Sequence, residues 1–331
     1  MGCWVLSHRA NAASIPLLHP RVHPLLKPAR LVGKCARPQP RGDDMGSKPQ
    51  QQRYMTSAVQ MVYRKLGNRA VVGPLLERHY EALFAGNREQ NLFRGAYDSF
   101  EAAQASAPRS RPVGYDHPEP AKMYRDRFER VFTNDYPMML WLERALQASG
   151  EAPRVFDFGG HVGFARYTFA RYLRFPAGLR WQVCDVPAVV AEGEAIAREQ
   201  GMPGLSFTTD RAQADGADVF FASGSLQYVP TPLAEMLGAL RQPPPHLLLN
   251  MLSLHPTRSA VTLQSIGTVF CPYAIFQRDA FVQSLAPLGY RLVDSWDNPD
   301  KGCTIPFHPE VSVSGYTGLY LSRVAPGAAA A

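Results

Sequence analysis

The sequence predicts an α/β protein whose mostly parallel sheet is preceded by a helical region. From Arg154 onward, short apolar runs alternate with helical ones, which is typical of βα units around a parallel sheet. The chain has 331 residues, of which 46% are hydrophobic, so it can bury a large core. No run approaches the roughly 18–20 apolar residues of a membrane span, and we expect no integral membrane contact.

The first 54 residues have the composition of a disordered basic tail. They hold nine Lys and Arg, two Asp and seven Pro, and proline interrupts helices and removes backbone donors. The remaining residues hold 26 basic and 26 acidic side chains, so the net charge of +7 belongs to the tail and we expect no nucleic-acid partner. A targeting segment, a basic interaction arm and a later start at Met45 or Met55 remain alternatives for this tail.

The five cysteines are scattered along the chain and odd in number. This pattern argues against a disulfide framework and against a zinc site of paired cysteines. We therefore expect a reducing, cytoplasmic location and no metal.

Residues 55–150 predict a helical region that covers the functional site as a cap or lid, with a homodimer interface as the competing role. Residues 92–102 read as a loop entering a helix. Helices are expected from Ala121 to about Val131 and from Tyr136 to Gln147, and the second of them has an apolar stripe.

Residues 151–325 predict the sheet domain. The last two expected strands have no helix between them, so they form a final hairpin on an otherwise parallel sheet. The expected strands are Arg154–Phe158, Arg180–Cys184, Leu205–Thr208, Ala217–Ala222, His246–Met251, Tyr290–Trp296 and Gly318–Arg323, and the helices between them are Val162–Arg174, Pro187–Gln200, Pro232–Arg241 and Arg278–Leu288.

A glycine-rich turn follows the first strand of this domain. Gly159 and Gly160 allow a sharp bend close to a ligand, and the helix after Gly163 presents free N–H groups. A dinucleotide fold has the spacing G-x-G-x-x-G, whereas this turn has G-G-x-x-G with Asp157 just before it. A carboxylate there opposes a pyrophosphate and suits an ammonium or sulfonium, which favours S-adenosyl-L-methionine (SAM) over NAD.

Three more polar residues follow expected strands at the same edge of the sheet. Asp185 ends the second strand, where a carboxylate accepts hydrogen bonds from a ribose diol in either kind of nucleoside ligand. Asp210 follows the third strand and either reaches the adenine amine or is a solvated turn residue. Ser223 follows the fourth strand and joins the candidate cofactor residues.

Several motifs together resemble a known group of enzymes. D-F-G-G-H-V-G at 157–163, C-D-V-P at 184–187 and the segment 217–228 resemble class I SAM-dependent methyltransferases. More narrowly, residues from about Asn91 to Arg323 resemble a bacterial methyltransferase family encoded among surface-polysaccharide biosynthesis genes. The further segments that carry this resemblance are Phe93–Phe100, Asn134-Asp135-Tyr136-Pro137, Val261–Gly267, Cys271-Pro272-Tyr273 and Ile305-Pro306-Phe307-His308-Pro309.

The resemblance implies a Rossmann-like, seven-stranded sheet with an antiparallel last strand. It also implies that Gly159, Gly160 and Gly163 surround the methionine part of SAM and that Asp185 binds the ribose. His161, inside the turn, is expected to shape this site.

Catalytic candidates come from loops at the open edge of the sheet. Plant-type O-methyltransferases place a histidine shortly after the fourth strand, but this chain has Gln227-Tyr228-Val229-Pro230 there. His308 and His255 are the best base candidates because imidazole is neutral near pH 7, and a structural loop role competes for each. Tyr228 either positions a hydroxyl or packs in the core.

The sequence thus predicts a SAM-dependent methyltransferase that O-methylates a small polar acceptor. The resemblance suggests a sugar or nucleotide-sugar of a surface polysaccharide. An NAD(P)-dependent oxidoreductase and a non-catalytic nucleoside-binding scaffold of the same fold remain the alternatives.

Overall fold

The computed structural model describes residues 73–88, 91–118, 128 and 130–323. The expected tail 1–54 lies outside these residues, as do residues 55–72 and most of the helix expected from Ala121 to about Val131.

Helices and strands alternate along most of the described chain. The elements before the large sheet are α1 (Gly73–Gly86), β1 (Leu92–Tyr97), α2 (Phe100–Ala105) and α3 (Asp135–Ala148). The elements that follow are β2 (Arg154–Phe158), α4 (Phe164–Phe169), β3 (Arg180–Cys184), α5 (Pro187–Gln200), β4 (Leu205–Thr208), β5 (Val219–Ser223), α6 (Leu233–Gly238), β6 (His246–Leu252), β7 (Leu254–His255), β8 (Ala260–Ser265), β9 (Phe270–Gln277), α7 (Arg278–Leu285), β10 (Tyr290–Asn298) and β11 (Tyr316–Arg323).

Seven of these strands form one sheet in the order β10-β11-β6-β5-β2-β3-β4. In this sheet β11 runs opposite to the other six strands, since it pairs antiparallel with both β10 and β6. The strand order is Rossmann-like, because β3 and β4 lie on one side of β2 while β5 and β6 lie on the other side. The predicted fold class is therefore confirmed. The central strands are apolar on both faces because helices or other elements cover both sides.

The predicted strands of this sheet are all present, whereas three of its helices are shorter than expected. α4 begins after Gly163, which has a φ of 83°, and ends at Phe169 rather than at Arg174. α6 ends at Gly238, three residues before the expected end. α7 ends at Leu285, and a short 3-10 helix continues from there to the expected end at Leu288.

A second sheet, in the order β1-β8-β9-β7, is absent from the sequence-based prediction. The segment read as a loop entering a helix contains β1, which pairs antiparallel with β8. Gly95, at a φ of 70°, lies where the register shifts, so the alternation expected of a strand is interrupted. The region before Arg154 therefore contains a strand as well as helices.

Two packing features bring α3 and the second sheet onto the large sheet. On one face, Trp141 of α3 stacks on Tyr320 of β11, with ring centroids 4.3 Å apart. At the carboxyl ends of the strands, Phe93 and Tyr273 of the second sheet pack with Ile305 and Val313. In the described part of the chain, no helix has the length and apolar character to cross a membrane.

Candidate active site

A cleft of about 670 Å³ opens where the carboxyl ends of β2, β3 and β5 face the second sheet. Both sheets and the segment between β10 and β11 contribute to its wall. The wall includes these glycines and polar residues: Asp135, Asp157, Gly159, Gly160, His161, Asp185, Arg211, Ser223, Ser225, Tyr228, Gln264, Tyr273 and Lys301.

The glycine turn packs so closely that two of its positions exclude any side chain. A Cβ at Gly159, which has a φ of 68°, would lie 2.2 Å from the Cβ of Ser225. A Cβ at Gly160 would lie 2.3 Å from Oδ2 of Asp157. The Ser225 hydroxyl donates to the Phe158 carbonyl at 2.6 Å and holds the segment after β5 against the turn. The bend is thus a rigid backbone surface.

Asp157 lies directly behind this surface and is 1% exposed. Its Oδ2 accepts a hydrogen bond of 2.9 Å from Nε1 of Trp181. Burial raises the pKa of Asp157 to about 7, although the bond from Trp181 lowers it in part and nearby Asp185 raises it further. A cation in front of the turn would favour the charged form of this carboxyl group.

Asp185 lies one residue past the end of β3 and is fixed by backbone donors. Its Oδ2 accepts the His161 N–H at 2.9 Å and its Oδ1 accepts the Val186 N–H at 2.8 Å. Burial raises the pKa of Asp185 to about 6; these two bonds lower it, and the charge of Asp116 raises it. Each oxygen keeps a lone pair for a further donor, as a ribose diol requires.

The other expected cofactor residues occupy different places. Ser223 ends β5, lines the cleft and is exposed. Gly163, at a φ of 83°, precedes α4 and lies outside the residues that line the cleft. Asp210 is exposed and outside the lining too, and its Oδ1 accepts the Ala212 N–H at 2.9 Å as a cap on the short helix Arg211–Ala214. Its neighbour Arg211 lies on the wall instead.

Of the three catalytic candidates, only Tyr228 lies on the wall of the cleft. Its hydroxyl donates to Oε1 of Gln264 at 2.7 Å. Nδ1 of His255 accepts the N–H groups of Thr257 and Arg258 at 3.2 and 3.0 Å, which is a turn-stabilising role.

His308 lies outside the lining residues as well, with its Nδ1 3.3 Å from Oε1 of Glu310. The sequence places these loops at the correct edge of the sheet but does not give the direction of their side chains.

Sequence reasoning missed Asp135 and Lys301 as residues of this site. Both line the cleft, and the charge of Lys301 lowers the pKa of Asp135, which burial raises. Asp135 belongs to the Asn134-Asp135-Tyr136-Pro137 segment, which carries part of the family resemblance and could have pointed to this residue. The described residues include no cluster of His, Cys, Asp and Glu that could hold a metal ion.

No protein-family model matches the chain, and no curated protein matches it. Among solved structures, the 1,6-didemethyltoxoflavin-N1-methyltransferase of Burkholderia thailandensis, with its substrate and S-adenosylhomocysteine bound, is 16% identical, with a TM-score of 0.40 over 62% of this chain and 83% of that chain. The mitomycin 7-O-methyltransferase MmcR is 17% identical, with a TM-score of 0.37 over 68% of this chain and 61% of that chain.

A SAM-dependent methyltransferase of Geobacter sulfurreducens in complex with S-adenosylhomocysteine is 14% identical, with a TM-score of 0.36 over 62% of this chain and 96% of that chain. Identities and TM-scores in this range are too low to transfer a function. The function must therefore be argued from the geometry of this chain.

Proposed function

We propose that this protein is a SAM-dependent methyltransferase acting on a small polar acceptor. The observation that carries the proposal is a pair of carboxyl groups, the buried Asp157 behind the glycine turn and the half-buried Asp185 beside it, on the wall of a 670 Å³ cleft. Small-molecule sites have volumes of roughly 300–1,000 Å³, so the cleft has room for a cofactor and an acceptor together.

The residues present fit SAM by charge and by shape. Gly159 and Gly160 cradle the methionine part, with Asp157 behind them to favour its ammonium and sulfonium. Asp185 accepts hydrogen bonds from the ribose hydroxyls, and Ser223 and His161 complete this side of the cleft. The cofactor supplies an activated methyl group with a neutral leaving group. The protein therefore needs only to align the acceptor, exclude water and take up a proton.

A dinucleotide suits the same residues less well. The pyrophosphate of NAD would lie against the glycine turn, where the Asp157 carboxylate opposes its charge. The spacing G-G-x-x-G also differs from the dinucleotide pattern. A non-catalytic scaffold is disfavoured for a different reason, because the cleft extends past the nucleoside side to a polar wall with Asp135, Tyr228 and Lys301.

For the acceptor we propose a hydroxyl compound, and a sugar or nucleotide-sugar of a surface polysaccharide as the specific class. The amide of Gln264, the hydroxyl of Tyr228 and the charges of Asp135 and Lys301 offer donors and acceptors for several hydroxyl groups. The sugar assignment depends on the resemblance in sequence, whereas the cytoplasmic location depends on the scattered, odd-numbered cysteines. The cap role of the region 55–150 and a homodimer remain predictions from the sequence.

Titration calorimetry of the full chain with S-adenosylhomocysteine (SAH), and separately with NADH, tests the cofactor. We expect SAH to bind and NADH not to bind; binding of NADH alone would replace the proposal by the oxidoreductase.

Incubation with methyl-tritiated SAM and a panel of sugars and nucleotide-sugars then tests the acceptor class. We expect label on at least one sugar, and the variant Asp185→Ala serves as the control with impaired cofactor binding. A protein that binds SAH but labels no sugar, phenol or amine would support the scaffold.

A further inference from the structure

A buried carboxyl group on the wall of the cleft has no part in holding the cofactor. Asp135 is 7% exposed and is the first residue of α3. It lines the same cleft as the glycine turn, and it belongs to a sequence motif that the cofactor site leaves unused.

The position of Asp135 is fixed by a fully buried amide. Nδ2 of Asn250 donates to the Asn134 carbonyl at 3.2 Å, and Oδ1 of Asn250 accepts the Trp296 indole N–H at 3.1 Å. Asn250 is paired in register with Ser223 of β5. The start of α3 therefore lies over the ends of β5 and β6, beside the strand that carries the glycine turn.

One oxygen of this carboxyl group is well satisfied and the other is not. Among the described residues, Oδ2 accepts the Phe132 N–H at 2.8 Å, whereas Oδ1 has only the Asn134 amide at a long 3.4 Å. The first turn of α3 and the charge of Lys301 favour the ionised form, while burial disfavours it. Oδ1 is thus an ionisable oxygen with capacity for another donor.

The other candidate bases are occupied or lie elsewhere. His255 and His308 lie outside the cleft lining, and the Tyr228 hydroxyl donates to Gln264. Asp157 and Asp185 lie on the cofactor side. A base must come within hydrogen-bond reach of the acceptor proton, and of the described carboxyl groups that line the cleft, Asp135 is the one that the proposed cofactor contacts leave unused.

We infer that Asp135 is the general base of the methyl transfer, an inference that rests on the proposed function. The acceptor O–H bond breaks and its proton passes to Oδ1 of Asp135. The oxygen lone pair forms the new O–CH₃ bond as the S–CH₃ bond breaks, and that electron pair stays on sulfur. The proton later leaves Asp135 to solvent.

Sinefungin tests this role without knowledge of the acceptor. In this SAM analogue an amine-bearing carbon replaces the methylated sulfur, so an ammonium group occupies the place of the transferred methyl. A base carboxylate near that place would pair with the ammonium, whereas SAH has nothing there. We expect the wild-type protein to bind sinefungin roughly tenfold more tightly than SAH at pH 8, the size of a charge-assisted hydrogen bond.

The variant Asp135→Asn should abolish this preference and leave SAH affinity within about twofold of wild type. Asn keeps an oxygen for the Phe132 N–H, so the start of α3 is preserved. The matched control is Asp294→Asn, which removes a carboxylate bonded to Trp141 of the same helix but outside the cleft. His255→Ala and His308→Ala should also keep the preference.

The wild-type protein provides a second measurement in case the variant does not fold. The ratio of the two affinities should fall on acidification, because protonation removes the Asp135 charge that pairs with the sinefungin ammonium group. Asp185 faces the ribose that both ligands share and cancels in the ratio. Asp157 also faces the sulfur position, so the pH series is repeated in Asp157→Asn to remove its contribution. His161 also lines the cleft, and the variant Asp135→Asn separates its contribution from that of Asp135.

The outcomes are distinguishable. A preference for sinefungin that persists in Asp135→Asn, or a wild-type ratio near one, would overturn the base assignment while leaving the cofactor proposal intact. Failure of the wild-type protein to bind either ligand would overturn both.

Discussion

The indole N–H of Trp181 on β3 donates a 2.9 Å hydrogen bond to the carboxyl group of Asp157 on β2, beneath the glycine turn. The burial of Asp157 with this bond lowers the stability of the folded protein, while it prepares the site to bind a cation. The folded protein must bury a carboxyl group that only a bound cation would fully compensate.

The variant Asp157→Asn is expected to stabilise the protein. Burial raises the pKa of Asp157 to about 7 from an unfolded value near 3.8, so the folded state binds more protons than the unfolded state between about pH 4 and 7. Wild-type stability therefore falls as pH rises through this window. Since Asn still accepts from Trp181, we expect a gain of about 2–4 kcal/mol at pH 8 and little below pH 4. Chemical denaturation at both pH values measures this, and equal gains at both would contradict it.

SAH affinity should weaken on acidification. Its ammonium group pairs with an ionised Asp157, and below pH 7 that group must first lose a proton. Asp185, with a pKa near 6, adds to the loss at lower pH. We expect roughly a tenfold loss between pH 8 and 6 by calorimetry. Asp157→Asn should bind SAH more weakly and flatten this dependence, and an unchanged slope in that variant would assign the titration to another group.

Replacement of Asp185 by Ala should weaken SAH binding by about 1.5–3 kcal/mol, the range of hydrogen bonds to a charged group. The matched control is Asp210→Ala, since Asp210 follows the neighbouring strand but caps the short helix Arg211–Ala214. We expect SAH affinity to be retained in that control. Equal losses in both variants, measured by calorimetry, would mean that the ribose is bound differently.

Gly160→Ala should destabilise the protein and impair SAH binding at the same time. Its Cβ would lie 2.3 Å from Asp157 Oδ2, so the turn or the β2 carboxyl group must shift. Forced overpacking of this kind destabilises by about 1–3 kcal/mol. Gly86→Ala is the control, because a Cβ at the end of α1 has nothing within 4 Å. Melting curves with and without SAH would show whether the two positions differ as expected.

The part of the site that the sequence predicts is the part formed by contiguous residues. Asp157 and Gly160 lie in one strand–turn–helix unit, so their neighbourhood follows from local spacing. Asp185 follows from the same logic, because adjacent parallel strands end at one edge. These residues lie together on the cleft wall.

The rest depends on contacts between distant segments. The sequence predicts a loop at β1 because Gly95 interrupts the strand pattern and the partner strand β8 is far along the chain. His308 illustrates a second difficulty, since its loop is at the expected edge but its side chain lies beside Glu310. Asp135 was overlooked because its relation to the cleft depends on Asn250, more than one hundred residues later.

The second sheet joins a strand from before the large sheet, β1, to a hairpin that follows β6, β8–β9. During synthesis β1 cannot pair with β8 until β2 to β7 have emerged. Its apolar residues Leu92 and Phe93, both buried in the finished protein, stay uncovered throughout that interval. The newborn polypeptide would therefore hold an uncovered apolar strand while β2 to β7 emerge, which exposes this part of the chain to aggregation until β8 pairs with it.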